Sequence, residues 1–238
     1  NTTGSTNTAS GSGALTNNTT GSSNVATGYN SLYYNTTGVQ NTASGLYSLF
    51  SNTTGNYNTA TGAYSLFVNT TGVENTASSY GSLASNTTGG SNTASGFQAL
   101  YYNQTGSNNV AVGRQAAYGT SSQSQSNGTY LGFRAGYSLT TGSSNLLLGF
   151  QAGDAITTGN KNIVIGYDVD APSATGSSQL VIGNLIYGNG MTATGTTVSG
   201  GKVAINKANP AYTLDVNGTT ATKGCMLNGN TVAIPSLT

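Results

Sequence analysis

The chain has 238 residues, 35 of them Gly, and only 5% are charged, with six Lys+Arg against five Asp+Glu for a formal net charge of +1. That charge is far below the ~25% of an ordinary soluble domain, and it leaves no electrostatic footprint for nucleic acid. With no His and one Cys (Cys225), the chain has neither a Cys/His metal cluster nor an internal disulfide framework.

From the first residues the sequence repeats. The block Asn-x-Ala-x-Gly starts at Asn7, Asn24, Asn41, Asn58, Asn75, Asn92 and Asn109, each 17 after the last; in the block from Asn75, Ser79 stands in the Gly place. Altered copies start at Gly128, Asn145, Asn162 and Gln179, after two extra residues in the Ser/Gln stretch near 120–127. Self-similarity of this kind marks a stacked architecture in which each repeat buries its apolar side only against its neighbours. Gly this frequent argues against helix, and the apolar segments between glycines are strand-sized. The spacing predicts an all-β fold, a parallel β-solenoid (β-roll) of 17-residue coils over 1–186, each coil strand–turn–strand–turn. A small C-terminal β region follows over 187–238.

Stacking gives each repeat position a role. The Asn7 series is expected to form a ladder of side-chain amides. Ala9, Ala26, Ala43 and their successors face a row of Leu15, Leu32, Leu49, Leu66, Leu83 and Leu100, small against large. The residues flanking each Ala point outward by period-2 alternation. They are Thr and Ser in early coils. Later they become Val110 and Val112, Leu146 and Leu148, Ile163 and Ile165, Leu180 and Ile182. A strand apolar on both sides is covered on both sides, so these eight residues are the expected oligomer interface.

Asn-Thr-Thr-Gly recurs at Asn18, Asn35, Asn52, Asn69 and Asn86, with Asn-Gln-Thr-Gly at Asn103. All six are Asn-x-Thr acceptors and candidate glycosylation sites, although the same residues make good turns. Tyr33, Tyr34, Tyr47, Tyr64, Phe67, Tyr101 and Tyr102 form an aromatic stripe suited either to glycans or to covering the roll. Asp168 and Asp170 read as a solvated turn ahead of a Ca²⁺ site. Without His the remaining nucleophile–base pairs are Ser/Lys arrangements, and nothing marks Lys161, Lys202, Lys207 or Lys223 for one, so no enzyme, catalytic residue, metal or cofactor is expected. Cys225 reads as a small buried residue.

Beyond the repeats, Lys202–Ile205 and Tyr212–Val216 read as strands with a turn at Pro210. Asn217-Gly218 is a turn signal, and the last stretch from Thr219 reads as strand–turn–strand or linker.

Asn109-Val-Ala-Val-Gly113 and Asn162-Ile-Val-Ile-Gly166 resemble the head repeats of trimeric autotransporter adhesins. Gly201–Gly218, with Asn-Pro-Ala-Tyr-Thr-Leu-Asp-Val-Asn-Gly, is similar to the region after such repeats in phage tail-fibre-like and bacterial surface proteins. The resemblance implies a left-handed parallel β-roll, three chains around one axis, and a following chaperone-type domain. The repeat here is longer than in that family.

These readings lead to a homotrimeric fibre or surface adhesin, extracellular, at a cell surface or on a virion. It would act by rigid extension and multivalent contact with surface or host glycans, without a membrane-spanning segment. The alternative is an ice- or glycan-binding module using flat Thr or Tyr faces. Residue 1 falls mid-repeat with no cap, which suits a piece of a longer array or end-to-end filament formation. No export signal opens the sequence.

Overall fold

The computed structural model describes residues 2–120, 123–190, 201–205, 208, 214–216, 225–227 and 230–232. The fold is a β-solenoid, and there is no helix among the described residues. Eleven three-residue strands stack in parallel: β1 Thr8–Ser10, β2 Val25–Thr27, β3 Thr42–Ser44, β4 Thr59–Thr61, β5 Thr76–Ser78, β6 Thr93–Ser95, β7 Val110–Val112, β8 Thr129–Leu131, β9 Leu146–Leu148, β10 Ile163–Ile165 and β11 Leu180–Ile182. Every step pairs residues 17 apart except β7 with β8, where Val110 meets Thr129 across the two-residue insertion.

β12 Ile186–Asn189 then reverses against β11, and β13 Lys202–Ile205 runs antiparallel to β12. β14 Leu214–Val216 lies parallel to β13; residues 206–207 and 209–213, with the expected turn at Pro210, and the Asn217-Gly218 turn lie outside the described residues. β15 Cys225–Leu227 and β16 Asn230–Val232 form a separate antiparallel pair, as the strand–turn–strand reading of the tail expected.

Each coil holds one strand, not two. The Leu row lies in the turn half of the coil, with left-handed backbone at Leu32 (φ 49°), Leu49 (φ 50°), Leu66 (φ 50°) and Leu100 (φ 52°). That conformation costs an L-residue about 1–2 kcal/mol. It is offset here because the turn half keeps its inter-coil bonds, such as Leu49 N–H to the Ser65 carbonyl (3.0 Å) and Ser51 N–H to that of Phe67 (3.1 Å). The left-handed twist turns the Leu side chain inward, where it is fully buried against the Ala row. The small-against-large core thus holds, though the larger partner comes from a turn.

The core inverts past the insertion. Tyr130, Leu147, Val164 and Val181 take the Ala positions, and Gly136 and Gly153 take the Leu positions. A Cβ on Gly136 would lie 2.7 Å from Leu139 Cδ1 and 2.9 Å from Leu147 Cδ1. The coil keeps its cross-section while the bulky residue moves from turn to strand. The Tyr130 ring is fully buried, and burial pushes its phenol well above the ordinary range.

Candidate functional site

Two asparagine ladders run inside the rod. In the first, Asn24 Oδ1 accepts from both the Asn41 backbone N–H (2.9 Å) and Asn41 Nδ2 (3.1 Å). The same pattern repeats at Asn58, Asn75, Asn92 and Asn109. This is the ladder expected from the repeat.

The second ladder consists of the candidate glycosylation residues. Asn18, Asn35, Asn52, Asn69, Asn86 and Asn103 are buried, not displayed along an edge. Each Nδ2 from Asn35 to Asn103 donates to the Oδ1 one coil back and to the Gly carbonyl three residues on, as Asn52 does to Asn35 (2.8 Å) and Gly55 (3.0 Å). A glycan on any of these nitrogens would replace an N–H that donates inside the rod and have no route out of the coil. The Asn-x-Thr pattern is therefore structural in the folded chain. Period alone cannot separate an edge row from an interior row, because both repeat every coil.

The expected interface residues share one outward face of the sheet. In register, Val110, Thr129, Leu146, Ile163 and Leu180 form one column, and Val112, Leu131, Leu148, Ile165 and Ile182 form the other. Thr129 and Leu131 belong to these columns although the altered repeat hid them. Val110, Val112, Leu148 and Ile182 are exposed, at 38–41%. Leu146, Ile163, Ile165 and Leu180 are half-buried. The second column continues through Ile186, paired with Ile182, to the exposed Ile205. Over β1–β6 the corresponding positions carry Thr and Ser, apart from Val25.

The aromatic residues form columns on the turn half. Tyr33, Phe50 and Phe67 stack at 5.6 and 5.3 Å, and Tyr101, Tyr118 and Tyr137 at 5.5 and 5.2 Å. A further column was hidden by its mixed chemistry: Tyr80, Phe97, Arg114, Phe133, Phe150 and Tyr167. Its ring pairs stack at 4.8–5.4 Å. The Arg114 guanidinium takes the place of a ring, 5.6 Å from the Phe97 centroid and 5.9 Å from that of Phe133. Rings stacked face to face spend their faces on each other and turn their edges to solvent.

Asp168 and Asp170 form no metal centre with a third ligand among the described residues. Asp170 Oδ1 instead accepts from the Ala155 N–H (3.1 Å). Burial lifts the Asp170 carboxyl above the usual carboxylate range, against that hydrogen bond, and Asp154 and Asp168 add to the rise. No helix among the described residues is long and apolar enough to cross a membrane. The side chain of Cys225 lies outside the described residues. No protein-family model, curated protein or solved structure matches the chain.

Proposed function

We propose that the chain is a rigid structural element of an extracellular fibre or surface adhesin, assembled as a homotrimer through the aliphatic columns of β7–β11. The observation that supports this is the pair of outward columns from Val110 and Val112 to Leu180 and Ile182, which hold large apolar side chains in register at the protein surface. Burying such side chains contributes roughly 25 cal/mol per Å², and a contiguous apolar patch of this kind marks an interaction site. A second copy of the same straight face offers matching columns at the same coil rise. The resemblance to trimeric autotransporter adhesins supports three chains about one axis, and surface glycans are the contact class for such a head. Solution mass and electron images test the reading. A trimer that falls to monomers in Ile163→Asp supports it, and a monodisperse wild-type monomer sinks it.

A second reading rests on β1–β6. Their outward Thr and Ser form a grid with ~4.8 Å between coils and ~6.7 Å along a strand, exposed on nearly every coil. Such a grid suits an ordered-water or ice surface. An assay of ice recrystallisation separates the two readings, since a fibre face has no reason to inhibit it.

A further inference from the structure

Arg114 and Arg134 sit together on the turn half of neighbouring coils. The Arg134 guanidinium lies 5.2 Å from the Phe133 centroid and 4.8 Å from that of Tyr137, so both arginines rest against Phe133. Arg134 Nε donates to Gln115 Oε1 (3.0 Å), and Gln115 Nε2 donates to Gln98 Oε1 (3.3 Å). Neither arginine has a carboxylate partner among the described residues. Asp154, one coil beyond Tyr137, is engaged by Gln151 Nε2 (3.0 Å).

Two like charges against one ring repel, and the ring quadrupole offsets this only in part. Every other occupant of the Tyr80–Tyr167 column is an aromatic ring, so filling space does not require a cation there. Stacking uses the flat faces of a guanidinium and leaves its N–H fork free in the plane. Arg114 is exposed and has no hydrogen-bond acceptor for that fork among the described residues. The surrounding ring edges carry partial positive charge and also favour an anion.

We propose that Arg114 and Arg134 form a binding site for a carboxylated polysaccharide. The carboxylate would take the Arg114 fork and the free terminal nitrogens of Arg134, and the half-buried Gln98 amide and Tyr137 phenol would take sugar hydroxyls, with the buried Gln115 amide holding Arg134 and Gln98 in place. The Gln98 amide and the phenol favour a hydroxyl-rich ligand over an acidic peptide. The site lies on the turn half of the coil, not on the aliphatic strand face, so it stands whether or not rods assemble through that face.

The test is binding of the full chain to immobilised polygalacturonate at low salt, beside its methyl ester, dextran and polyglutamate. The expected result is binding to polygalacturonate alone. In Arg114→Gln/Arg134→Gln it should weaken by about tenfold or more. Arg114→Lys/Arg134→Lys, which keeps charge without the fork, should fall between, and Lys161→Gln should be unchanged. Equal binding to the methyl ester or to polyglutamate overturns the proposal, and neither comparison needs a variant to fold. Undiminished binding by a folded double-Gln variant overturns it as well.

Discussion

Asn24 Nδ2 and Asn35 Nδ2 donate to the same acceptor, the carbonyl of Gly38, at 2.8 and 3.0 Å. The same sharing occurs at Gly55, Gly72, Gly89 and Gly106. One carbonyl per coil thus joins the two asparagine ladders across the rod interior. A core with little apolar bulk gains its specificity from this network, in which each amide is satisfied only if the adjacent coils are in register.

Asn58 shows what the network is worth. Its Oδ1 accepts from the Asn75 backbone N–H and Nδ2, and its Nδ2 donates to Asn41 and Gly72. Asn58→Ala leaves the Asn75 backbone N–H buried without a partner, while Asn75 Nδ2, Asn41 Oδ1 and the Gly72 carbonyl each lose one bond but keep the Gly89 carbonyl, the residue-58 N–H and Asn69 Nδ2. The orphaned N–H is expected to cost on the order of 1–3 kcal/mol. Asn58→Asp should be worse at neutral pH, because it sets a buried carboxylate against two oxygens. Acidification should relieve part of that loss. Denaturant midpoints at two pH values check both, and an Ala variant within ~0.5 kcal/mol of wild type would show the ladder to be ornamental.

Ser79 is a strained exception. It stands where neighbouring coils have Gly45, Gly62, Gly96 and Gly113, and it adopts φ 121° where those adopt 125–142°. A non-Gly residue in this region costs of order 1–3 kcal/mol. Ser79→Gly is therefore expected to stabilise the rod by about that amount, less the added chain entropy of ~0.5–1 kcal/mol. A lower thermal midpoint would mean that surrounding contacts relieve the strain.

The repeat makes the coil, its period, the Asn ladder and the strand positions legible in the sequence, because in-register stacking turns a sequence period directly into contacts. It misread the Leu row as a second strand. Local pattern does not reveal left-handed backbone at a Leu, which is held by bonds to adjacent coils. It leaves Asn52 and its equivalents open between glycan acceptors and turn residues, since an interior polar ladder is visible only once its acceptors, such as the Gly55 carbonyl, are placed. Arg114 escaped because its column mixes ring and guanidinium, which share a shape but not a residue class.

The Tyr101–Tyr118–Tyr137 column should make the rod alkali-sensitive. The Tyr118 phenol is pushed from 10.0 up to about 12, first by burial and then by the hydrogen bond with Tyr102 and the neighbouring phenols. A pKa raised by folding means the folded state favours the neutral form. Its stabilising contribution is complete below about pH 10 and is lost as pH rises through about 12. Tyr118→Phe cannot ionise, so its stability should fall less over that window. Denaturant melts at stepped alkaline pH check it, and parallel curves for wild type and variant would remove Tyr118 as the cause. By the same sign rule, Asp170→Asn keeps the acceptor for Ala155 and should stabilise at neutral pH but not in acid.

The inverted core makes the sharpest prediction about packing. Leu147 and Gly153 occupy the places that Ala94 and Leu100 hold earlier, with the same six-residue separation. Gly153→Leu alone drives a side chain into Leu147 Cδ2, 2.8 Å from the new Cβ, and Ile156 Cδ1, 3.0 Å away. Such overpacking costs about 1–3 kcal/mol. Leu147→Ala alone opens a cavity and costs about 2–5 kcal/mol. The double variant recreates the early-coil pairing, and the backbone already suits it: φ is 61° at Gly153 against 52° at Leu100. It should therefore recover part of both losses, with a coupling of about 0.5–3 kcal/mol in a double-mutant cycle of denaturant midpoints. Strict additivity would mean that the two halves of the coil pack independently and that the exchange of Ala–Leu for Leu–Gly along the rod is not a compensated one.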